Sequence, residues 1–274
     1  MTTPPNEQPR AADVHSRAVL GLRVDATSYA DAAERVMAWA DEDRGRYVCV
    51  ANVHMTMEAW DDPDFRRAVN DADLVTPDGM PLVWALRQLG APEASRVYGP
   101  TLTLHVCEAA AQAGVPVGMY GGRPEAVEGL VANLRARYPG LQVAFKESPP
   151  FRALTPEEDE QVMRRIRGSG ARVLFVGLGC PKQERWMAEH RQRLPLVQLG
   201  VGAAFDFHAG LVRQAPPTLQ RLGLEWAFRL AMEPRRLARR YVRHNPRFVW
   251  LFARQLLRER GYGRTGDVPP PGAP

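Results

Sequence analysis

The stretch ARVLFVGLGCPKQERWM, residues 171–187, decides the fold. It opens on an apolar run, breaks at Gly177 and Gly179, and restarts after Pro181 in a helix-compatible pattern. An apolar run this short, closed by glycine, reads as a strand buried on both faces. Pro181 at the helix start, with Gln183 and Glu184 just behind it, reads as the beginning of a helix. Strand, glycine turn and helix in that order form half of a crossover unit, and crossover units build parallel sheets.

The same alternation continues in both directions. Strands are expected at 46–52 (RYVCVAN), 71–77 (DADLVTP), 115–122 (VPVGMYGG), 141–147 (LQVAFKE), 171–179 and 194–202 (LPLVQLGVG). Helices are expected near 28–43, 79–90, 100–113, 123–138, 155–168 and 181–193. Thr155, Pro156, Glu157 and Glu158 together carry a cap, a first-position proline and acids facing the helix dipole. The expected fold is α/β: a Rossmann-like, mostly parallel sheet with helices on both faces. From about Thr218 only helical pattern remains, with breaks expected at Pro234 and Pro246, which adds a C-terminal helical appendage. The ends are rich in proline, glycine and polar residues, as disordered tails are. The organisation is then a tail at 1–17, an α/β domain at 18–212, a basic helical appendage at 213–262 and a tail at 263–274.

Charge is distributed unevenly along the chain. Residues 213–264 hold thirteen arginines and no lysine against Glu225, Glu233 and Glu259, a net charge of +10, while the whole chain carries +5. The basic character therefore belongs to the appendage, and such asymmetry marks contact with a polyanion or an anionic surface. Arg235, Arg239 and Arg243 recur every four residues, as do Arg236 and Arg240, giving one helix two adjacent basic rows. Leu237, Tyr241 and the run FVWLF at 248–252 interleave apolar and aromatic anchors, the composition of a helix lying in a membrane interface. No segment approaches the roughly 20 apolar residues needed to span a bilayer, and no signal peptide is evident, so a cytoplasmic protein is expected. Cys49, Cys107 and Cys180 lack any paired spacing and read as buried, reduced thiols.

In an open parallel sheet, ligands bind beyond the carboxyl ends of the strands. The segments expected there are ANVHM, TPDGMP, YGGRPE, GLGCPKQERW and GAAFDFHAG, and four of the five bring glycine to one edge. GLGCPKQERW offers backbone amides and a helix start, suited to an anion, although a tight turn alone also explains it. It is neither a Walker loop nor the dinucleotide fingerprint. Asp206 stands between two phenylalanines, where a carboxylate needs a partner or solvent. His54, His105 and His208 lack metal-ligand spacing and read as structural. The Asp71-Ala-Asp73 run has the spelling of a divalent-ion motif but precedes its strand, at the wrong edge. No metal site and no cofactor are expected.

The blocks ADLVTPDGMPLVW, RVYGPTL, VGLGCPKQERWM, GVGAAFDFHAG and APPTLQRLGLEWAFRLAMEPRRLARRY resemble the WecG/TagA/CpsF glycosyltransferases in order, spacing and wording, over roughly residues 20 to 250. The resemblance implies an inverting, metal-independent transfer of a sugar from a UDP donor to N-acetylglucosamine on a polyprenyl diphosphate, at the inner face of the membrane, in cell-surface polysaccharide or teichoic acid synthesis. N-acetylmannosamine is the first candidate, with glucose or N-acetylmannosaminuronic acid as alternatives. Position by position, Asp78 matches the family's proposed general base, Asn52 and Arg96 match pocket residues, and Gln183 matches the motif glutamine. Gly177, Gly179 and Asp206 belong to the donor-side loops, and Arg235 and Arg239 are taken as the appendage residues that grip the substrate diphosphate. Val50 stands where the family often has threonine. Partners are thus a UDP-sugar, a lipid-diphosphate acceptor and an anionic membrane surface, with homo-oligomerisation left open. A nucleic-acid-binding protein is the alternative from another class, and no nucleic acid is expected as partner. A nicotinamide enzyme is disfavoured because VANVHMTM lacks the glycine fingerprint.

Overall fold

The computed structural model describes residues 15–216, 218–219 and 223–262. Six parallel strands form the sheet: β3 (Arg46–Ala51), β4 (Leu74–Pro77), β5 (Val117–Gly121), β6 (Val143–Glu147), β7 (Val173–Gly177) and β8 (Val197–Gly200), in the spatial order β4-β3-β8-β7-β5-β6. All six coincide with expected strands. Two shorter strands precede them, β1 (Ser16–Val19) and β2 (Leu22–Asp25), paired antiparallel. They meet at Leu20 and Gly21, whose φ values of 54° and 81° give the positive-φ pair that a two-residue hairpin turn requires.

This hairpin went unrecognised in the sequence because each strand has only four residues. β1 starts inside the segment expected as the N-terminal tail; the rest of that tail, except His15, and the C-terminal tail lie outside the described residues. The hairpin covers the exposed edge of the sheet at β4, where Val75 N–H donates to the buried Asp25 carboxylate at 2.7 Å.

Alternation along the strands divides the core in two. Tyr47, Cys49 and Ala51 of β3 face one side, while Val48 and Val50 face the other, and all five are buried. The first side is covered by α2 (Val53–Asp61), α3 (Pro63–Asn70), α4 (Met80–Gln88), α7 (Pro156–Gly168) and α8 (Lys182–His190). The second is covered by α1 (Tyr29–Ala40), α5 (Gly99–Ala113), α6 (Pro124–Arg137) and α9 (Ala204–His208). The connections β3 to β4, β6 to β7 and β7 to β8 run one way along the sheet over the first face, β5 to β6 runs the other way over the second, and β4 to β5 begins with α4 on the first face and crosses with α5 on the second. Neighbours β5 and β7 consequently send their chains to opposite faces, and a crevice opens between their ends.

The sequence punctuation acts as expected at several starts. Thr155 and Glu158 form a capping box on α7. In the cluster Asp61 to Asp64, Asp62 caps α3 through the Asp64 and Phe65 amides, with Pro63 in the first turn. Helix α2, absent from the expected elements, is capped by Asn52, whose side chain accepts from Met55 N–H.

The appendage is α10 (Glu225–Met232) and α11 (Pro234–Tyr262). Pro234 separates them as expected, but Pro246 does not break the helix: α11 runs through it for 29 residues. Tertiary packing overrides the proline, which removes one backbone donor. Leu237 and His244 before it, and Phe248 and Leu251 after it, are all buried. Further along, Gln255 clasps the hairpin, accepting from Leu20 N–H at 2.8 Å and donating to the Ala18 carbonyl at 2.7 Å.

Candidate active site

Two cavities meet beyond the carboxyl ends of the strands. The first, about 460 Å³, follows the crevice at β5, β7 and β8 and is walled by Gly122, Gly177, Gly179, Gly200, Gly202, Gln183 and Asp206. The second, about 330 Å³, lies beneath the appendage and is walled by Met80, Pro81, Trp226, Tyr241, Phe248 and Val249. Asn52, His54, Asp78, Tyr98, Arg229 and Arg240 line both. Asp78 therefore stands at the junction.

Its position follows from the local backbone. β4 ends at Pro77, and Asp78 N–H continues the ladder by donating to the Ala51 carbonyl at 2.8 Å. Pro81 then sits in the first turn of α4, so the turn is rigid at both ends. Arg96 Nε donates to the Asp78 carbonyl at 2.5 Å, and Arg96 Nη2 lies 3.7 Å from Asp78 Oδ1. The same Nη2 donates to Glu225 Oε2 at 2.5 Å, and the guanidinium rests 4.3 Å over the Tyr98 ring. Burial pushes the Asp78 carboxyl up to about 6; Arg96 pulls it down, Glu225 pushes it up, and Arg229 and an Asn52 hydrogen bond pull it down. A carboxyl held near 6 is mostly ionised at neutral pH yet basic enough to take a proton.

Asn52, Arg96, Gly177, Gly179, Gln183 and Asp206 do come together with Asp78, but two of them act differently from the expectation. The Gly179 amide is already engaged, donating to Gln183 Oε1 at 3.1 Å, and Gln183 Nε2 donates to Glu184 at 2.7 Å. Gln183 is 4% exposed and so shapes the glycine loop from inside. Gly177 matters for space: a Cβ there would lie 2.9–3.0 Å from the Phe205 ring. Asp206, half-buried in the cavity wall, has Arg123 Nη2 at 3.9 Å. Val50 lines the glycine-walled cavity, where a threonine would have offered a hydroxyl.

Arg235 and Arg239 do not join this group. Both are exposed on the outer face of α11, and the cavities are lined instead by Arg229 and Arg240. Helical phase explains the difference, since the buried Leu237, His244, Phe248 and Leu251 define the inner stripe and Arg240 lies on it. The Nε atoms of Arg229 and Arg240 are buried without a hydrogen-bond partner among the described residues. Both residues line the two cavities, where guanidinium groups suit an anion.

Cys49 and Cys107 are buried as expected, whereas Cys180 is only partly so and reaches the cavity wall. Burial raises the Glu184 carboxyl beside it to about 7. His105 stacks on Tyr29 and His208 bonds the Pro100 carbonyl, both structural as expected. Asp73 is taken up at the far end of the sheet by Arg46, Arg191 and the Tyr47 amide. His54, however, is not alone: it faces Glu58 and His244, and burial pulls its pKa down to about 4. The pattern His-x-x-x-Glu on one helix was the available signal for it. Glu225 was also legible, as one of three acids in a basic segment, but nothing local paired it with Arg96.

A glycine-rich crevice at a sheet switch point, a buried carboxyl of raised pKa and two inward arginines come together here, an arrangement suited to group transfer. The chain matches the glycosyl transferase WecG/TagA/CpsF family over residues 17–262 and belongs to that family. Its substrates are accordingly a sugar donor and an acceptor. Among the described residues, no helix is long and apolar enough to cross a membrane.

Proposed function

We propose that this protein transfers a hexosamine-type sugar, N-acetylmannosamine first among the candidates, from a UDP donor to N-acetylglucosamine on a polyprenyl diphosphate, with inversion at the anomeric carbon. The observation that carries this reading is the place of Asp78 between a polar, glycine-walled cavity and an apolar, aromatic one. The first suits a nucleotide sugar. The second, with the half-exposed Trp226 and Val249 in its wall, suits an acceptor that arrives on a lipid.

In this mechanism the Asp78 carboxylate takes the proton of the acceptor hydroxyl while its oxygen bonds to the anomeric carbon. The bond from that carbon to the diphosphate breaks on the opposite face, and UDP departs with the electron pair. Arg229 and Arg240 neutralise the leaving diphosphate, so this step needs no divalent ion. Arg96 and Glu225 hold the base in place from the appendage side.

The outer face of the appendage carries Arg235, Arg239, Arg243, Arg254 and Arg258 beside Val242, Trp250 and Leu257, all exposed. The side chain of Arg236, part of the second basic row, lies outside the described residues. Each basic residue near an anionic leaflet contributes about 1 kcal/mol, enough in combination to hold the protein at its acceptor. This reading places the protein on the cytoplasmic face of the membrane.

The test supplies UDP-N-acetylmannosamine and a short lipid-diphosphate N-acetylglucosamine, and seeks the disaccharide by mass spectrometry. A panel of UDP-sugars, including glucose and N-acetylmannosaminuronic acid, decides the donor. Protection against melting by duplex DNA and not by UDP would overturn the reading in favour of nucleic-acid binding.

A further inference from the structure

We propose that His54, Glu58 and His244 form a binding site for a divalent transition metal, zinc foremost, that fastens the C-terminal helix to the α/β core. The three ligand atoms all lie within 4.8 Å of one another. Glu58 Oε1 is 3.4 Å from His54 Nε2 and 3.8 Å from His244 Nε2. A tetrahedral zinc ion with bonds of about 2.0–2.1 Å has its ligands about 3.3 Å apart, so the Glu58 contacts close by up to about half an ångström and the two imidazoles by no more than about 1.5 Å.

Two features favour an ion over a hydrogen-bonded cluster. First, none of the three side chains donates a hydrogen bond to another, and the imidazole rings meet edge to face at 5.4 Å. Second, His244 is nine-tenths buried and turns its Nε2 toward Glu58 at 3.8 Å, beyond hydrogen-bond distance. Two neutral imidazoles and a carboxylate are a donor set that zinc accepts readily, leaving a fourth position for water.

The local charge is mixed. Arg240 bears on His54, and Arg243 and Arg247 bear on His244; Arg247 is neutralised by its paired contact with Asp61 at 2.6 and 2.5 Å. Arg240 and Arg243 then face the single carboxylate of Glu58, so the immediate surroundings keep one positive charge in excess, which the Glu58 ligand has to offset.

His54 and Glu58 lie one turn apart on α2 and His244 lies on α11, so the ion would join two elements distant in sequence. No step of the transfer is routed through it, and its test needs no turnover.

Untagged, metal-stripped full-length protein is titrated with zinc chloride by calorimetry, and protection of residues 234–262 is followed by hydrogen exchange. One zinc per chain and slower exchange along α11 are expected. Glu58→Gln and His244→Asn should each weaken binding at least tenfold, while Cys180→Ser should leave it unchanged. Cobalt should give the visible absorption of a four-coordinate site. Circular dichroism confirms that each variant folds, and His54→Asn replaces any that does not. Absence of saturable one-to-one binding overturns the proposal, as does binding that survives Glu58→Gln or is lost in Cys180→Ser. Loss of turnover with zinc binding intact would count against the proposed function alone.

Discussion

Arg96 holds Asp78 and Glu225 with one guanidinium: Nε donates to the Asp78 carbonyl at 2.5 Å, while Nη2 donates to Glu225 at 2.5 Å and stands 3.7 Å from the Asp78 carboxylate. The strand-end turn and the appendage are thereby joined at the base itself. Because Arg96 gives its closer contact to Glu225, Asp78 is left partly uncompensated in a buried place.

The pH dependence of turnover follows from that balance. Asp78 acts as a base only when ionised, so kcat/KM should rise with pH through about 6, where its carboxyl titrates. Glu225→Gln removes a negative neighbour and releases Arg96 toward Asp78, and both changes favour the carboxylate. The acidic limb should therefore move to lower pH in that variant. A limb that stays in place or moves upward would separate Glu225 from the base.

Stability should respond with the opposite preference. The folded-state pKa of Asp78 is raised from 3.8 to about 6, so its ionised form opposes folding. This penalty is fully present above pH 6 and is relieved as pH falls through 6 toward the unfolded-state value. Two pKa units correspond to about 3 kcal/mol, an upper figure for a side chain 18% exposed. Asp78→Asn should melt at a higher temperature than the parent at pH 8 while losing about 10²–10⁴-fold in kcat. A variant of unchanged turnover would remove Asp78 from the chemistry.

The sheet was legible because its strands are buried on both faces and read as continuous apolar runs between glycine and proline. The placement of Asp78 and Asn52 was legible because they directly follow strands, where position along the chain fixes position in the fold, and that of Gln183 because it opens the helix after the β7 glycine turn. The helical character of the appendage was legible too, but not the orientation of its faces. Which arginines turn inward depends on the phase of α11, and that phase is set by contacts of Leu237, Phe248 and Leu251 with a distant surface. The continuity of the helix through Pro246 has the same origin. Four-residue spacing groups Arg235, Arg239 and Arg243 but does not tell which side they face.

The division of the arginines can be measured. Arg240→Ala and Arg229→Ala should each raise the donor KM about ten- to a hundredfold, since a hydrogen bond to a charged group contributes about 1.5–3 kcal/mol. Arg235→Ala and Arg239→Ala should leave the donor KM unchanged and weaken binding to anionic vesicles about fivefold each, from the contribution of about 1 kcal/mol per basic residue. Titration of donor and vesicles on the same four variants tests both halves. Donor binding that depends on Arg239 would reverse the assignment.

The two glycines of the GLG turn should differ in a way that identifies what each supplies. At Gly177 an added methyl meets the Phe205 ring at 2.9–3.0 Å, and Phe205 is buried in the core, so the ring and α9 must move. Overpacking of this kind costs about 1–3 kcal/mol, and the movement carries Asp206 away from its place in the cavity wall. At Gly179 nothing lies within 4 Å of a new methyl, but the backbone has φ of +80°, where a side chain is strained by about 1–2 kcal/mol. Both substitutions should lower the melting temperature. Only Gly177→Ala is expected to raise the donor KM by way of Asp206, with the acceptor KM unaffected, because the apolar cavity has no wall in common with α9. An equal rise in both constants would mean that Phe205 supports the whole site and not the donor side alone.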